Sequence, residues 1–401
     1  MSVEADRPRG IWRQRNVVVL AIAQALMTIG QTTMIAEAAL VGQTLAENKA
    51  FATLPVGIMQ LATMLTTFPA SFFMRRFGRR AGFSLGACFG IVGQAICAAG
   101  VFAGSFELFC LGCVVNGVYN GFALFYRFAA ADGLPESSRS RAISLVIAGG
   151  VLAAILGPEL ARHTHDLFAP VAFAGSFVAV SLAAVVALAV VQFVDIPVPA
   201  EAERAAVGRP LPVILAQPKA AVAVFSGVVA YGTMSLLMNA TPLAMIACGF
   251  TFDDAARTIQ AHALAMFAPS FFTGALIARF GLLNMMMAGA ALLGLCSLIA
   301  LSGIEFWHFY VGLAVLGLGW NFLYVGATSL LTQTYAPAEK AKVQAANDFL
   351  VFGTVSAAAA AAGWLQNSVG WSAMNTGALP VVVASIGTLV WLWAISRRKP
   401  V

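Results

Sequence analysis

This sequence predicts an all-α membrane protein, with twelve transmembrane helices arranged as two six-helix bundles. Three observations carry that fold class: too little charge for a soluble surface, twelve long apolar stretches, and a repeat relating the two halves. Of the 401 residues, 60% are hydrophobic and 10% charged, whereas a soluble globular domain carries roughly 25% charged residues. A membrane-crossing helix needs about 20 predominantly apolar residues. Stretches of that length fall at 17–43, 51–74, 82–103, 106–131, 140–162, 168–194, 220–248, 255–279, 283–303, 306–335, 341–364 and 373–396. They use up most of the chain and leave no room for a sizeable soluble domain. A net charge of +6 would suggest nucleic acid in a soluble protein. Here its distribution matters more than its sum, and no nucleic-acid partner is expected.

Lys and Arg sort by side. One face collects Arg7, Arg9, Arg13 and Arg15, then Arg75, Arg76, Arg79, Arg80, Arg139, Arg141, Arg204, Arg209 and Lys219. Arg279, Lys340, Lys342, Arg397, Arg398 and Lys399 join them, which makes nineteen of the 23 basic residues. The opposite face has Lys49, Arg162 and Arg257, and Arg127 lies within a span. Basic residues concentrate in cytoplasmic connections, so both termini are expected in the cytoplasm, as an even number of spans requires. The first apolar stretch is too long for a signal-peptide core, and no small-residue cleavage site follows it. A polar stretch at 200–209, flanked by Pro199 and Pro210, divides the spans six and six. The expected organisation is a cytoplasmic tail at 1–16, a first bundle at 17–194 and a flexible cytoplasmic linker at 195–219. A second bundle at 220–396 and a cytoplasmic tail at 397–401 complete it.

The halves repeat. Arg76-Phe77-Gly78 ends the second span and Arg279-Phe280-Gly281 the eighth, at an offset of 203. Tyr119-Asn120 in span four matches Trp320-Asn321 in span ten at an offset of 201. Pro135 and Pro337 each follow those spans, before a short basic run. Parallel six-helix repeats mark one transporter architecture, in which two bundles rock about a midplane site. On these residues the chain resembles the major facilitator superfamily over essentially its whole length. That family carries Gly-x-x-x-Asp-Arg-x-Gly-Arg-Arg after span two and again after span eight. Here Arg76, Gly78, Arg79 and Arg80 match, while Ser71 and Arg75 replace the glycine and the acid. In the second copy Gly274, Arg279 and Gly281 match and Ala278 replaces the acid. Gly149, Gly157 and Pro158 in span five are similar to the family's glycine-proline motif. The resemblance implies a transporter, and most members work as monomers.

Substrate sites in such a fold lie near the midplane, so polar and soft-ligand side chains inside spans are the informative ones. Span seven contains Met234-x-x-x-Met238 and span eight His262-x-x-x-Met266. A spacing of four puts both members of each pair on one helix face. Met238 lies fourteen residues before Phe252, at the turn between these helices, and Met266 fourteen after it. At 1.5 Å per residue both are about 21 Å from that turn, in the middle of a bilayer. Thioether sulfur is a soft donor that selects copper, above all Cu(I), and imidazole binds copper as well. Met is also a routine gap-filler in helix packing.

The two pairs are similar to the paired motifs of the CcoA-type copper importers, bacterial inner-membrane members of the superfamily. The resemblance implies a copper importer with a metal site at Met234, Met238, His262 and Met266. It implies copper supply for assembly of the cbb3-type cytochrome oxidase, periplasmic or cytoplasmic copper chaperones as partners, and location in the inner membrane. Copper is then cargo, and no resident cofactor is expected.

Other residues are secondary candidates. Met245 and Cys248 extend the Met234/Met238 face toward the periplasm, and Gln24, Met27, Gln31 and Met34 form one face of span one. Both stripes are read either as a metal path or as packing. His163 and His165 end span five, where they can capture metal or sit in a solvated loop. The Met285-Met286-Met287 run and the Cys110-x-x-Cys113 pair read as packing. Glu37, Arg127, Glu159 and Asp348 are charged residues within or at the ends of spans. Each can carry a coupling proton or pair across helices, and Arg127 with Asp348 makes a candidate inner gate. Two alternatives stand beside copper import. One is a carrier of a small organic solute such as riboflavin, with Trp320, Asn321 and Tyr324 lining an aromatic pocket. The other is a non-transporting assembly or sensing protein that binds metal. The chain shows no cofactor loop and no nucleophile–base constellation, so an enzyme is not expected.

Overall fold

The computed structural model describes residues 15–48, 51–52, 54–198 and 208–398. The calls on Arg7, Arg9, Arg13, Lys49, Arg204 and Lys399, and most of the 200–209 linker, lie outside them. Among the described residues all regular structure is helical. The spans are Arg15–Leu45, Leu54–Phe77, Arg79–Phe102, Phe106–Ala131, Glu136–Thr164 and Ala174–Val191 in the first half. Pro218–Ala247, Phe252–Phe267 with Ser270–Phe280, Leu282–Ser302, Phe306–Leu331, Lys340–Ser368 and Gly370–Arg398 form the second. Eleven are long and apolar enough to cross a membrane, and the bent pair completes twelve as one broken span. We number the spans one to twelve in chain order. Arg75–Arg80, Arg139, Arg141, Arg209, Lys219, Arg279, Lys340 and Lys342 fall at one set of helix ends. We call this the basic face and the other the far face.

Three departures from the hydropathy reading have local causes. Span six begins at Ala174, because Pro170 offers no backbone N–H and Phe173 takes a left-handed φ of 69°; the apolar run 168–173 is a turn. Span eight bends by 45° between Phe267 and Ser270, where Pro269 removes a helix donor. The 195–219 segment is not free throughout. Leu211–Leu215 is helical, and Arg209 is clamped to Glu339 at 2.7 Å and to the Thr334 carbonyl at 3.2 Å.

Asn321 explains how the bend is tolerated. Its Nδ2 donates to the Met266 carbonyl at 2.8 Å and to Ser270 Oγ, and its Oδ1 accepts from Thr273 Oγ1 at 2.6 Å. A carbonyl freed by the break therefore finds a partner from span ten, as buried backbone groups require. Span eight approaches closely because Gly317 has no side chain: a Cβ there would lie 2.5 Å from the His262 carbonyl oxygen.

The bundles meet along spans two and eleven and along spans five and eight. Among the described residues the hydrogen bonds and ion pairs between them lie in the basic half. Ser71 Oγ donates to the Ala341 carbonyl at 2.6 Å, and Arg139 to the Thr332 carbonyl at 3.2 Å. Arg79 donates to Gln344 at 2.9 Å and Asp132 at 3.1 Å, and Lys340 reaches Asp132 at 3.2 Å. Asp132, at the end of span four, thus holds the position that the acid missing at Arg75 leaves open. Ser144 pairs with the Ser270 carbonyl and accepts from the Gly274 N–H at 3.2 Å. At Gly274 a Cβ would lie 2.4 Å from Arg141 Cα, so the second bundle touches the first backbone to backbone.

Replacing Asn321 by Leu strips the Met266 carbonyl of its donor and should lower stability by about 1–3 kcal/mol. The repeat-related Asn120→Leu should cost less, because Asn120 Nδ2 donates to nothing. Thermal unfolding of the two detergent-solubilised variants checks the difference.

Candidate functional site

The site grows from span ten. Trp320 and Tyr324 are one turn apart and face the same way, with ring centroids 5.0 Å apart and planes at 21°. Tyr231 from span seven meets both edge-on, at 5.2 and 5.0 Å. Phe352 from span eleven lies 5.2 Å from Tyr231, and Phe267, at the span-eight bend, 6.0 Å from Trp320. Four helices of the second bundle therefore build one aromatic group, and the indole Nε1 of Trp320 has no hydrogen-bond partner. Tyr231 and Phe267 are its half-exposed members.

The first bundle closes this group with a charge. The chain breaks at Leu124–Phe125 and restarts as the short helix Tyr126–Ala131, which turns Arg127 toward the second bundle. Its guanidinium lies over the Tyr324 ring at 5.2 Å and the Phe128 ring at 4.5 Å. It donates to the Leu124 carbonyl at 2.6 Å and pairs with Asp348 of span eleven. Asn347 Nδ2 donates to the same Asp348 oxygen at 2.9 Å. Both charges are buried, Arg127 at 5% exposure and Asp348 at 0%. Arg127 Nε and the second carboxylate oxygen remain unpartnered. The rings pack on one another, with Trp320 and Tyr324 only 2% and 4% exposed, and unpartnered donors and an acceptor lie at their rim.

The soft-ligand candidates take several positions. Met234 and Met266 are buried in the same large apolar core, and Met238 packs against it half-buried. His262 is 1% exposed. Its Nδ1 lies 2.8 Å from the Leu313 carbonyl of span ten, and its Nε2 has no partner. Met245 is fully buried while Cys248 is exposed, so the outward stripe does not share one environment. Met34 packs with Met59, Phe109 and Phe177 in a separate core of the first bundle. Met27 borders a recess with Gln31, Gln94, Asn116, Tyr119 and Asn120. Among the described residues no three His, Cys, Asp or Glu side chains form a group able to hold a metal ion. All six cysteines are free thiols.

Of the charged candidates, Glu159 is exposed and pairs along its own helix with Arg162 at 2.7 Å. His163 lies beside Glu159, and His165 pairs with Asp166 at 2.8 Å. Glu37 is buried in span one. Of the residues read as an aromatic pocket, Trp320 and Tyr324 belong to the group described above, whereas Asn321 staples span eight. Tyr231, Phe267, Phe352 and Asn347 were missed. Tyr231 and Phe267 come from different helices while Asn347 and Phe352 share span eleven, and no spacing within one helix announces a group assembled from four.

Fold and site define a two-bundle membrane transporter. The family model for the major facilitator superfamily matches residues 20–256, and the chain belongs to that superfamily. It is 44% identical over 389 residues to the riboflavin transporter RfnT of Brucella anthropi, covering 96% of each chain. Among solved structures it is similar to the human organic anion transporter MFSD10, with a TM-score of 0.76 at 15% identity, covering 94% of this chain and 99% of that one. It is likewise similar to the transporter FucP in its outward conformation, with a TM-score of 0.72 at 15% identity, covering 96% and 99%. A named copper importer is not among these relatives, and the organic-solute alternative gains from the first of them.

An unpaired buried charge costs about 3–5 kcal/mol when its partner is removed. Asp348→Ala and Arg127→Ala should each loosen the basic face, and the double replacement should loosen it less than the sum. Cross-linking of a Cys pair introduced at Ser71 and Ala341, in an otherwise cysteine-free chain, reads the loosening directly.

Proposed function

We propose that the chain carries riboflavin, or a flavin of the same chemistry, across a bacterial inner membrane into the cell. The observation that carries this reading is the 44% identity to a riboflavin transporter over 96% of both chains. The site chemistry supports it. A flavin is a flat three-ring system, and aromatic side chains hold such faces at about 1–3 kcal/mol per stacked ring, as in base stacking. Its pyrimidine edge presents two carbonyl oxygens around one N–H, which suits the Arg127 donors and the open Asp348 oxygen. Alternating access suits bundles whose mutual hydrogen bonds and ion pairs, among the described residues, lie in the basic half. We take the basic face as cytoplasmic from the Lys and Arg distribution.

His262 favours a second reading. A buried imidazole with one nitrogen on a backbone carbonyl and the other unpartnered is how a ligating histidine is commonly oriented. On that reading copper is the cargo, held by His262 with Met234, Met238 and Met266, and the link to cbb3-type oxidase assembly goes with it.

Uptake of radiolabelled riboflavin and copper by cells expressing the chain separates the two. Trp320→Ala and Tyr231→Ala should each lower riboflavin uptake about tenfold or more, which is 1.4 kcal/mol or more of lost affinity, while His262→Ala leaves it within twofold. Copper uptake abolished by His262→Ala, with no riboflavin uptake in wild type, would reverse the assignment.

A further inference from the structure

Two carboxylates are buried within the spans, and they are treated differently. Asp348 has the Arg127 guanidinium. Glu37, in span one and 4% exposed, is in no salt bridge among the described residues, and the titratable group near enough to act on it electrostatically is the His165 imidazole. Its Oε1 accepts from Ser176 Oγ of span six at 2.9 Å, and its Oε2 has no partner. Among the described residues, the far halves of spans two and four and the whole of span six carry no Lys, Arg or His, and span four brings there only Glu107 and the thiols of Cys110 and Cys113. Span five ends in Glu159, Arg162 and His163, all exposed, with Arg162 bound to Glu159 at 2.7 Å. The following turn holds His165, paired with Asp166 at 2.8 Å. Glu47, just beyond the end of span one, is exposed and acidic.

A hydroxyl chain leads from that carboxyl to the far face. Thr164 Oγ1 lies 3.0 Å from Ser176 Oγ, and it is half-exposed at the end of span five. It also lies 2.6 Å from the Leu160 carbonyl, so its hydroxyl swings between two acceptors. A buried carboxyl held in no salt bridge, and joined to a half-exposed hydroxyl through a second one, is built to take up and release the smallest cation there is.

We propose that Glu37 is a proton-binding site of this carrier, loaded from the far face through Thr164 and Ser176, whose proton drives cargo accumulation. A hydronium ion at the far face gives a proton to Thr164 Oγ1 and is left as water, Thr164 passes its own to Ser176 Oγ, and Ser176 passes its own to Glu37 Oε1. Each hydroxyl ends with one proton, and the carboxylate is neutralised. The proposal rests on the carrier reading for its coupling, but not for the proton site.

The test uses purified full-length protein. In infrared difference spectra, a protonated-carboxyl band present in wild type should be missing in Glu37→Gln and shifted in Ser176→Ala, which removes its only donor. Reconstituted in vesicles with an inwardly directed proton gradient, Glu37→Gln should accumulate riboflavin at least tenfold less than wild type. Its exchange of riboflavin without a gradient should stay within twofold, which shows a folded carrier. Glu159→Gln should behave as wild type in every assay. A carboxyl band unchanged in Glu37→Gln overturns the proton site, and wild-type accumulation by that variant overturns the coupling. Absence of riboflavin exchange in wild type, with the band assigned to Glu37, refutes the flavin cargo and leaves the proton site supported.

Discussion

One ion pair sits where the two bundles, the aromatic group and the basic face converge. Arg127 and Asp348 come from different bundles and neither meets water. In so weak a dielectric their attraction is strong, and so is the cost of leaving either alone. The pair therefore behaves as a contact with two states, made or broken, with little between. Its geometry ties it to the cargo site, because the same guanidinium that meets Asp348 also caps the Tyr324 ring. A solute with hydrogen-bonding groups at its rim competes for those donors, so occupancy of the aromatic group and closure of the basic side share their atoms.

How much of this was legible in the sequence differs by level. Span number and order were readable because twenty apolar residues leave few other options, and the repeat of Tyr119-Asn120 in Trp320-Asn321 announced the two bundles. The breaks were less readable: hydropathy passes through Pro269 and Phe173 without noticing the backbone. Arg127 with Asp348 was legible as a pair, since ionisable residues in spans are few. The copper reading has less support than its organic-solute alternative, which the 44% identity to a riboflavin transporter favours. Spacing put Met234, Met238, His262 and Met266 on helix faces but could not say what each face met, and the His262 ring turned to the Leu313 carbonyl of span ten. Tyr231 and Phe352 gave no local signal, because an aromatic group drawn from four helices exists only after folding.

The repeat has diverged where function needs asymmetry. Asn321 is fully engaged in holding a bent helix beside the aromatic group, whereas its counterpart Asn120 has an idle amide nitrogen beside a recess. Span two keeps Pro69 within one continuous helix, so the first bundle has no bend to staple. The first bundle carries the buried acid Glu37 and the second the rings. The buried acid and the aromatic group thus lie in separate halves of the chain.

Gly274, where the second bundle rests against Arg141 with no side chain between them, has a mechanical consequence. Two interlocked surfaces must climb over each other's ridges to tilt, but bare main chain on bare main chain has no ridges to climb. The spot acts as a bearing: it permits rotation at little cost while fixing how near the halves can come. Even one added methyl would prop them apart, leaving a molecule that is sound in each half and unable to swing.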